Sequence, residues 1–123
     1  AMCKGLGLDL CGISRMEALL RDERVLNRYF TPAETAYVYA KGAGAAQTLA
    51  GLYAAKEAVL KAMGVGIALP LQEVEIFHGS GGQPQVRLTG RVAQQLAGMG
   101  GGSFLLTITH EGDTAAAAAL WQA

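Results

Sequence analysis

Five polar side chains stand in otherwise apolar surroundings and are this chain's candidates for chemistry: Asp9, Lys56, Glu57, Lys61 and His110. Two carboxylates accompanied by lysines suit a divalent cation held against phosphates. Mg²⁺ takes hard oxygen ligands, usually one or two carboxylates, with phosphate oxygens and waters completing its octahedron. The lysines would neutralise the remaining phosphate charge as point donors. On a helical wheel Leu49, Leu52, Tyr53, Leu60 and Met63 fall on one side, with Lys56 near its middle and Glu57 at its border. An ammonium inside an apolar stripe is costly unless it finds a partner, a ligand or water. The plainer alternative is that Lys56 snorkels to solvent while Glu57 pairs with Lys61 one turn on. Spacing alone leaves both readings open.

Other chemistries fail on the letters. Gly5-Leu6-Gly7 and Gly64-Val65-Gly66 lack the third glycine of a dinucleotide-binding turn, and no phosphate-loop lysine motif occurs. Ser80 lies among glycines, but His78 stands where a nucleophile elbow needs glycine. No Cys/His spacing suits zinc. Cys3 and Cys11 sit in one extended segment, which would hold them about 26 Å apart, far beyond disulfide reach.

The elements that must position these residues follow from periodicity and punctuation. Lys4 to Ile13 alternates as a strand, with Leu6, Leu8 and Leu10 on one face and Gly5, Gly7 and Asp9 on the other. Arg15 to Arg28 reads as a helix with a break. Thr31-Pro32-Ala33-Glu34 is a helix start with a capping Thr, Pro in the first turn and Glu closing the box; that helix runs to about Lys41. Gly42-Ala43-Gly44 interrupts, and a long helix covers roughly Gln47 to Met63, ended by Gly64. After a Gly64–Leu71 loop, a strand around Val74 and Ile76 turns at Gly79–Pro84 into a second strand, Gln85 to Thr89. Arg91 to Met99 is a short amphipathic helix, and Ser103 to His110 a strand. Glu111-Gly112-Asp113 turns the chain into Thr114–Trp121, whose alanines favour helix by propensity but whose tight turn favours a hairpin strand. We expect a strand there. The class is α+β, a mainly antiparallel sheet packed against a long central helix, in one domain spanning residues 1–123.

Composition narrows the partners. With 51% hydrophobic and only 16% charged residues, the chain leans toward a homo-oligomer that covers apolar surface. Ten basic residues against ten acidic ones argue against a nucleic-acid binder with a broad basic face. Arg21, Arg24 and Arg28, with Arg15 nearby, make either a solvated helix face or a docking patch for an acidic partner. No leader pattern and no apolar run of membrane-spanning length is read, so we expect a reduced, cytoplasmic setting without membrane contact.

Seven segments occur in order: Gly5-Leu6-Gly7-Leu8-Asp9-Leu10, Phe30-Thr31-Pro32-Ala33-Glu34, Leu49-Ala50-Gly51, Ala54-Ala55-Lys56-Glu57-Ala58, Lys61-Ala62-Met63-Gly64-Val65-Gly66, Gly82-Gln83-Pro84 and Ile108-Thr109-His110-Glu111. Together they resemble the bacterial holo-acyl-carrier-protein synthases, the short, trimeric group of 4′-phosphopantetheinyl transferases. The glycine-aspartate strand combined with the Lys-Glu-Ala helix is the specific part.

The resemblance implies an enzyme of fatty acid biosynthesis and lipid metabolism. It would move the 4′-phosphopantetheine arm of coenzyme A to a serine of an apo acyl carrier protein, releasing 3′,5′-ADP. By the same resemblance Asp9 and Glu57 ligate Mg²⁺, Lys61 lies near the phosphates, and His110 lies close to the site, with Thr109 where serine is common. Glu57, a metal-bound water and His110 are the candidate bases. Lys56, Lys61, Gly64, Gly66, Gln83, Pro84 and His110 would border coenzyme A, the Gln83–Pro84 loop from a neighbouring subunit. Arg15 with Arg21, Arg24 and Arg28 would face the carrier protein. The chain departs from the family at Leu52, where arginine is common, and before it, leaving Lys41 for the 3′-phosphate. A trimeric binding module without catalysis is the competing function.

Overall fold

The computed structural model describes residues 2–66 and 68–123. Ile67, inside the predicted Gly64–Leu71 loop, lies outside them. The first half holds β1 (Cys3–Gly12), then α1 (Ile13–Leu20), α2 (Glu23–Tyr29), α3 (Pro32–Tyr39), a 3₁₀ turn at Gly42–Gly44, and α4 (Ala45–Met63). A second 3₁₀ turn at Leu71–Glu73 leads into β2 (Val74–His78), β3 (Pro84–Leu88), α5 (Gly90–Gly98), β4 (Ser103–Glu111) and β5 (Thr114–Gln122). One sheet has the order β1-β5-β4 and the other is the β2-β3 hairpin; every pairing is antiparallel. The final segment is a strand, as its turn required. Helix propensity loses there to a place between two neighbours in the sheet.

α4 lies across the inner face of the larger sheet, and small residues let it come close. Along β5, Ala115, Ala117, Ala119 and Trp121 point inward and are buried. Their β1 partners on the same face are Cys11, Asp9, Gly7 and Gly5. A Cβ at Gly7 would run into the Ala58 carbonyl, and one at Gly5 into the Ala62 carbonyl. The two glycines are therefore where β1 touches the backbone of α4, and Asp9 is the next residue on that face. α4 itself is buried almost all round, ending in Gly64 at φ 72°, where a left-handed residue returns its N–H to the Lys61 carbonyl.

The opposite face of the sheet is the reverse of what an apolar strand face normally does. Leu6, Leu8 and Leu10 are 71%, 64% and 65% exposed, and Leu105 of β4 stands exposed beside them. The predicted helix from Arg15 to Arg28 is two helices. Asp22 caps the second by accepting from the Val25 N–H at 3.3 Å, so Arg21 ends α1 while Arg24 and Arg28 ride on α2.

Candidate active site

Asp9, Glu57 and Lys61 converge between β1 and α4. Lys61 donates to Asp9 Oδ1 at 2.7 Å and to the Leu8 carbonyl at 3.1 Å. Of the two readings left open by spacing, the Glu57–Lys61 ion pair is therefore not formed: Lys61 is engaged by the strand carboxylate. Glu57 sits one turn before Lys61 on the same flank of α4. Burial pushes the Glu57 carboxyl above its ordinary value, and the Asp9 charge pushes it further, with Lys61 opposing. Asp9 holds the Lys61 ammonium above its own ordinary value. Two carboxylates near one lysine, the strand carboxylate bonded to it and the helix carboxylate within range of both charges, are a donor set that suits a hard divalent ion. Among the described residues no group of three or more His, Cys, Asp or Glu is placed to hold a metal ion.

Lys56 is elsewhere. Its ammonium has no solvent exposure and meets Glu34 Oε1 at 2.7 Å, so it neither snorkels nor borders a cleft. The expectation that Lys56 contacts a cofactor is corrected on that ground. Sequence reading gave Glu34 only the role of closing the capping box. It does close it, but its second oxygen also accepts the Ile76 N–H at 2.7 Å, and no local pattern signals that long-range bond.

Of the remaining predicted residues, His110 and Pro84 line a different cleft. His110 lies with Lys41, Gln47, Leu52, His78 and Pro84 around a cavity of about 450 Å³. Gln47 Nε2 is 3.0 Å from His110 Nε2, which places the ring proton on Nδ1 when the amide donates. The His78 ring stacks on Tyr37 at 4.4 Å, and the Lys41 ammonium lies 4.6 Å from the Tyr37 ring centroid. Burial and the Lys41 charge hold His78 below the usual histidine value. Tyr37, His78 and Gln47 were missed from the sequence because nothing in their spacing brings three separate elements together.

Gly51 of α4 fits this flank because a Cβ would sit 2.8 Å from Ile108 Cγ2. Glu57, by contrast, borders a cleft of about 460 Å³ with Arg28, Tyr53 and Arg91. The two clefts flank roughly opposite sides of α4, so one protomer does not bring His110 and Glu57 into a single cavity. Gln83 borders a third groove with β3, α5 and β4. Gly64 and Gly66 follow directly from α4. Arg15, Arg21, Arg24 and Arg28 are all exposed, and none takes part in an ion pair among the described residues. No helix among the described residues is long and apolar enough to cross a membrane.

Residues 5–118 match the sequence profile of the 4′-phosphopantetheinyl transferase superfamily. The chain belongs to that family. A holo-[acyl-carrier-protein] synthase of Treponema denticola is 43% identical over 117 residues, covering 94% of this chain and 95% of the relative. The crystal structure of the synthase from Neisseria meningitidis superposes with a TM-score of 0.88 at 27% identity, covering 99% of this chain and all of that one. The Helicobacter pylori synthase, solved in complex with coenzyme A, gives a TM-score of 0.81 at 26% identity, with 95% and 99% covered. The α+β fold read from the sequence is thus the fold of the phosphopantetheinyl transferases.

Proposed function

We propose that this protein transfers the 4′-phosphopantetheine arm of coenzyme A to a serine hydroxyl of an apo acyl carrier protein. The carrying observation is the meeting of Asp9, Glu57 and Lys61 on one flank of α4, in a chain whose relatives are holo-[acyl-carrier-protein] synthases. The serine oxygen attacks the phosphorus that bears the pantetheine arm. The bond to the other phosphate breaks, and 3′,5′-ADP leaves with the electron pair. Asp9 and Glu57 would hold Mg²⁺, which when bound clamps the pyrophosphate and offsets charge on the leaving oxygen. Lys61, already among these groups, adds a positive charge at the same place. Glu57, on the flank where the pyrophosphate would lie, is the residue of this chain placed to receive the serine proton.

The separation of the two clefts supports a homotrimer. The exposed leucines of β1 would meet a second copy, and the His110 flank of one protomer would then face the Glu57 flank of the next. In that arrangement His110, Pro84 and Lys41 border coenzyme A from the neighbouring subunit, with Lys41 on the 3′-phosphate that Leu52 cannot reach. Arg15, Arg21, Arg24 and Arg28, all free and exposed, would receive the acidic carrier. Free thiols at Cys3 and Cys11 fit a reduced, cytoplasmic setting.

Mass spectrometry of an apo carrier incubated with coenzyme A, Mg²⁺ and this protein tests the reading. We expect the carrier to gain the mass of the phosphopantetheine arm, and Asp9→Ala and Glu57→Ala to abolish the gain while remaining folded. A carrier that binds without modification would mark a binding module instead, and turnover retained in either variant would remove the metal assignment.

A further inference from the structure

The most heavily engaged polar group in the protein lies outside the site. Lys56 Nζ has three protons and three acceptors: Glu34 Oε1 at 2.7 Å, the Leu71 carbonyl at 3.0 Å and the Val74 carbonyl at 2.9 Å. Glu34 is equally engaged. Its Oε1 also accepts the Thr31 N–H at 2.9 Å, and its Oε2 accepts the Ile76 N–H at 2.7 Å. The Phe30 ring closes the remaining side, its centroid 5.1 Å from the ammonium. Both side chains are fully buried. This one pair therefore ties four segments together: the entry to α3, the middle of α4, the 3₁₀ turn at Leu71–Glu73 and strand β2.

A buried ion pair is a poor device for stability, since apolar residues of similar volume often do as well. Its strength is directional, because three fixed acceptors allow one orientation of the lysine and hence one rotation of α4 about its axis. Lys56 immediately precedes Glu57. At β1 the bare backbone of Gly5 and Gly7 meets Ala62 and Ala58, so no side chain keys the helix at those two contacts. Lys61 ties α4 to Asp9 and the Leu8 carbonyl on its exposed flank, and the Lys56–Glu34 pair is the tie on its buried side.

We propose that the Lys56–Glu34 pair is a positioning device that fixes the rotation of α4 and thereby aims the Glu57 carboxylate at Asp9. The inference deepens the proposed transferase reading and rests on it. Lys56 and Glu34 touch neither substrate nor ion and act through Glu57 alone. Residues that orient a metal ligand typically govern affinity by 10–100-fold.

The test compares Lys56→Met with the double variant Lys56→Met/Glu34→Leu, which leaves no unpaired buried charge. Mn²⁺ binding is read by electron paramagnetic resonance, alongside the thermal midpoint and the kcat and carrier KM of transfer. We expect the double variant to fold cooperatively, to bind Mn²⁺ at least tenfold more weakly than wild type and to lose kcat by a similar factor. The carrier KM stays within twofold, because the arginine surface lies on α1 and α2. Folded variants with wild-type Mn²⁺ affinity would overturn the proposal. Failure of both variants to fold would overturn it too, by making the pair a stability element. If wild type itself neither bound Mn²⁺ nor modified the carrier, the transferase reading would fail instead, and that outcome is separate from the other two.

Discussion

Replacing Gly7 by alanine tests the link between strand and helix most directly. An added Cβ would collide with the Ala58 carbonyl oxygen and stand 2.7 Å from the Ala62 nitrogen and 2.8 Å from the Ala58 carbonyl carbon, where ordinary contact begins at 3.4 Å. All three atoms are backbone, so no side chain can rotate away. Relief requires α4 to lift from β1 by more than half an ångström along 19 residues of buried helix. Overpacking of this kind costs about 1–3 kcal/mol, and a backbone-on-backbone clash belongs at about 3. For a domain of this length about 4 °C of midpoint is lost per kcal/mol, which puts the fall in the unfolding midpoint at roughly 12 °C. Lifting the helix also moves Glu57 from Asp9, so transfer should fall by more than tenfold at a temperature where the variant is folded. Differential scanning calorimetry and the carrier mass assay read the two effects. Gly98→Ala, with nothing within 4 Å of the added carbon, is the control and should change neither. A Gly7→Ala midpoint within about 4 °C of wild type with full transfer would refute the reasoning.

The raised Glu57 carboxyl gives a pH signature. A raised value favours the neutral form in the fold, so its stabilisation is present below the ordinary value of 4.5 and is lost as pH rises through the folded value. Without divalent ions, Glu57→Gln should therefore be more stable than wild type at neutral pH and lose that advantage toward pH about 4, read from thermal midpoints; an advantage independent of pH would sink the assignment. Mg²⁺ at the proposed site would need the ionised carboxylate, so the midpoint gain expected from Mg²⁺ should fade over the same descent. Leu8→Glu places a charge in the exposed leucine face and should convert the proposed trimer to monomers by light scattering; an unchanged trimer mass would locate the interface elsewhere. Lys41→Ala should raise the KM for coenzyme A about tenfold, the worth of one charged hydrogen bond, and leave that for dephospho-coenzyme A nearly unchanged. Equal effects on both would remove Lys41 from the 3′-phosphate.

Local signals carried most of the fold. The Thr31–Glu34 box, the glycine after Met63 and the turns at Gly79–Gln83 and Gly112 each act over a few residues, and each stands where its letters put it. Period-two alternation likewise located β1 and the β2-β3 hairpin, while the alanine-rich strand was read from the tight turn before it. The break between α1 and α2 was half legible, since Asp22 is a capping residue type but the arginine spacing suggested one continuous face. The site was legible as residue types and not as partners. Asp9 and Lys61 are 52 positions apart, and their meeting depends on two glycines letting a helix settle on a strand. Lys56 was visible as an anomaly in an apolar stripe, but its partner Glu34 already had a sufficient local explanation as a cap. Alternation gave β1 a leucine face and a glycine-aspartate face but not which of them is covered, and the leucines turn out exposed. His110 joined the other candidates in the sequence because order along the chain carries no information about opposite flanks of one helix.

The contact between Lys61 and Asp9 has a thermodynamic consequence for loading. Two carboxylates and one ammonium leave the ligand-free group with a single negative charge, and a divalent ion reverses that to a single positive one. With Mg²⁺ at the proposed site, an arriving pyrophosphate would draw Lys61 toward its own oxygens and release Asp9 to the ion. Each species would then raise the affinity for the other by the same factor, so metal and coenzyme A would load as a thermodynamically coupled pair.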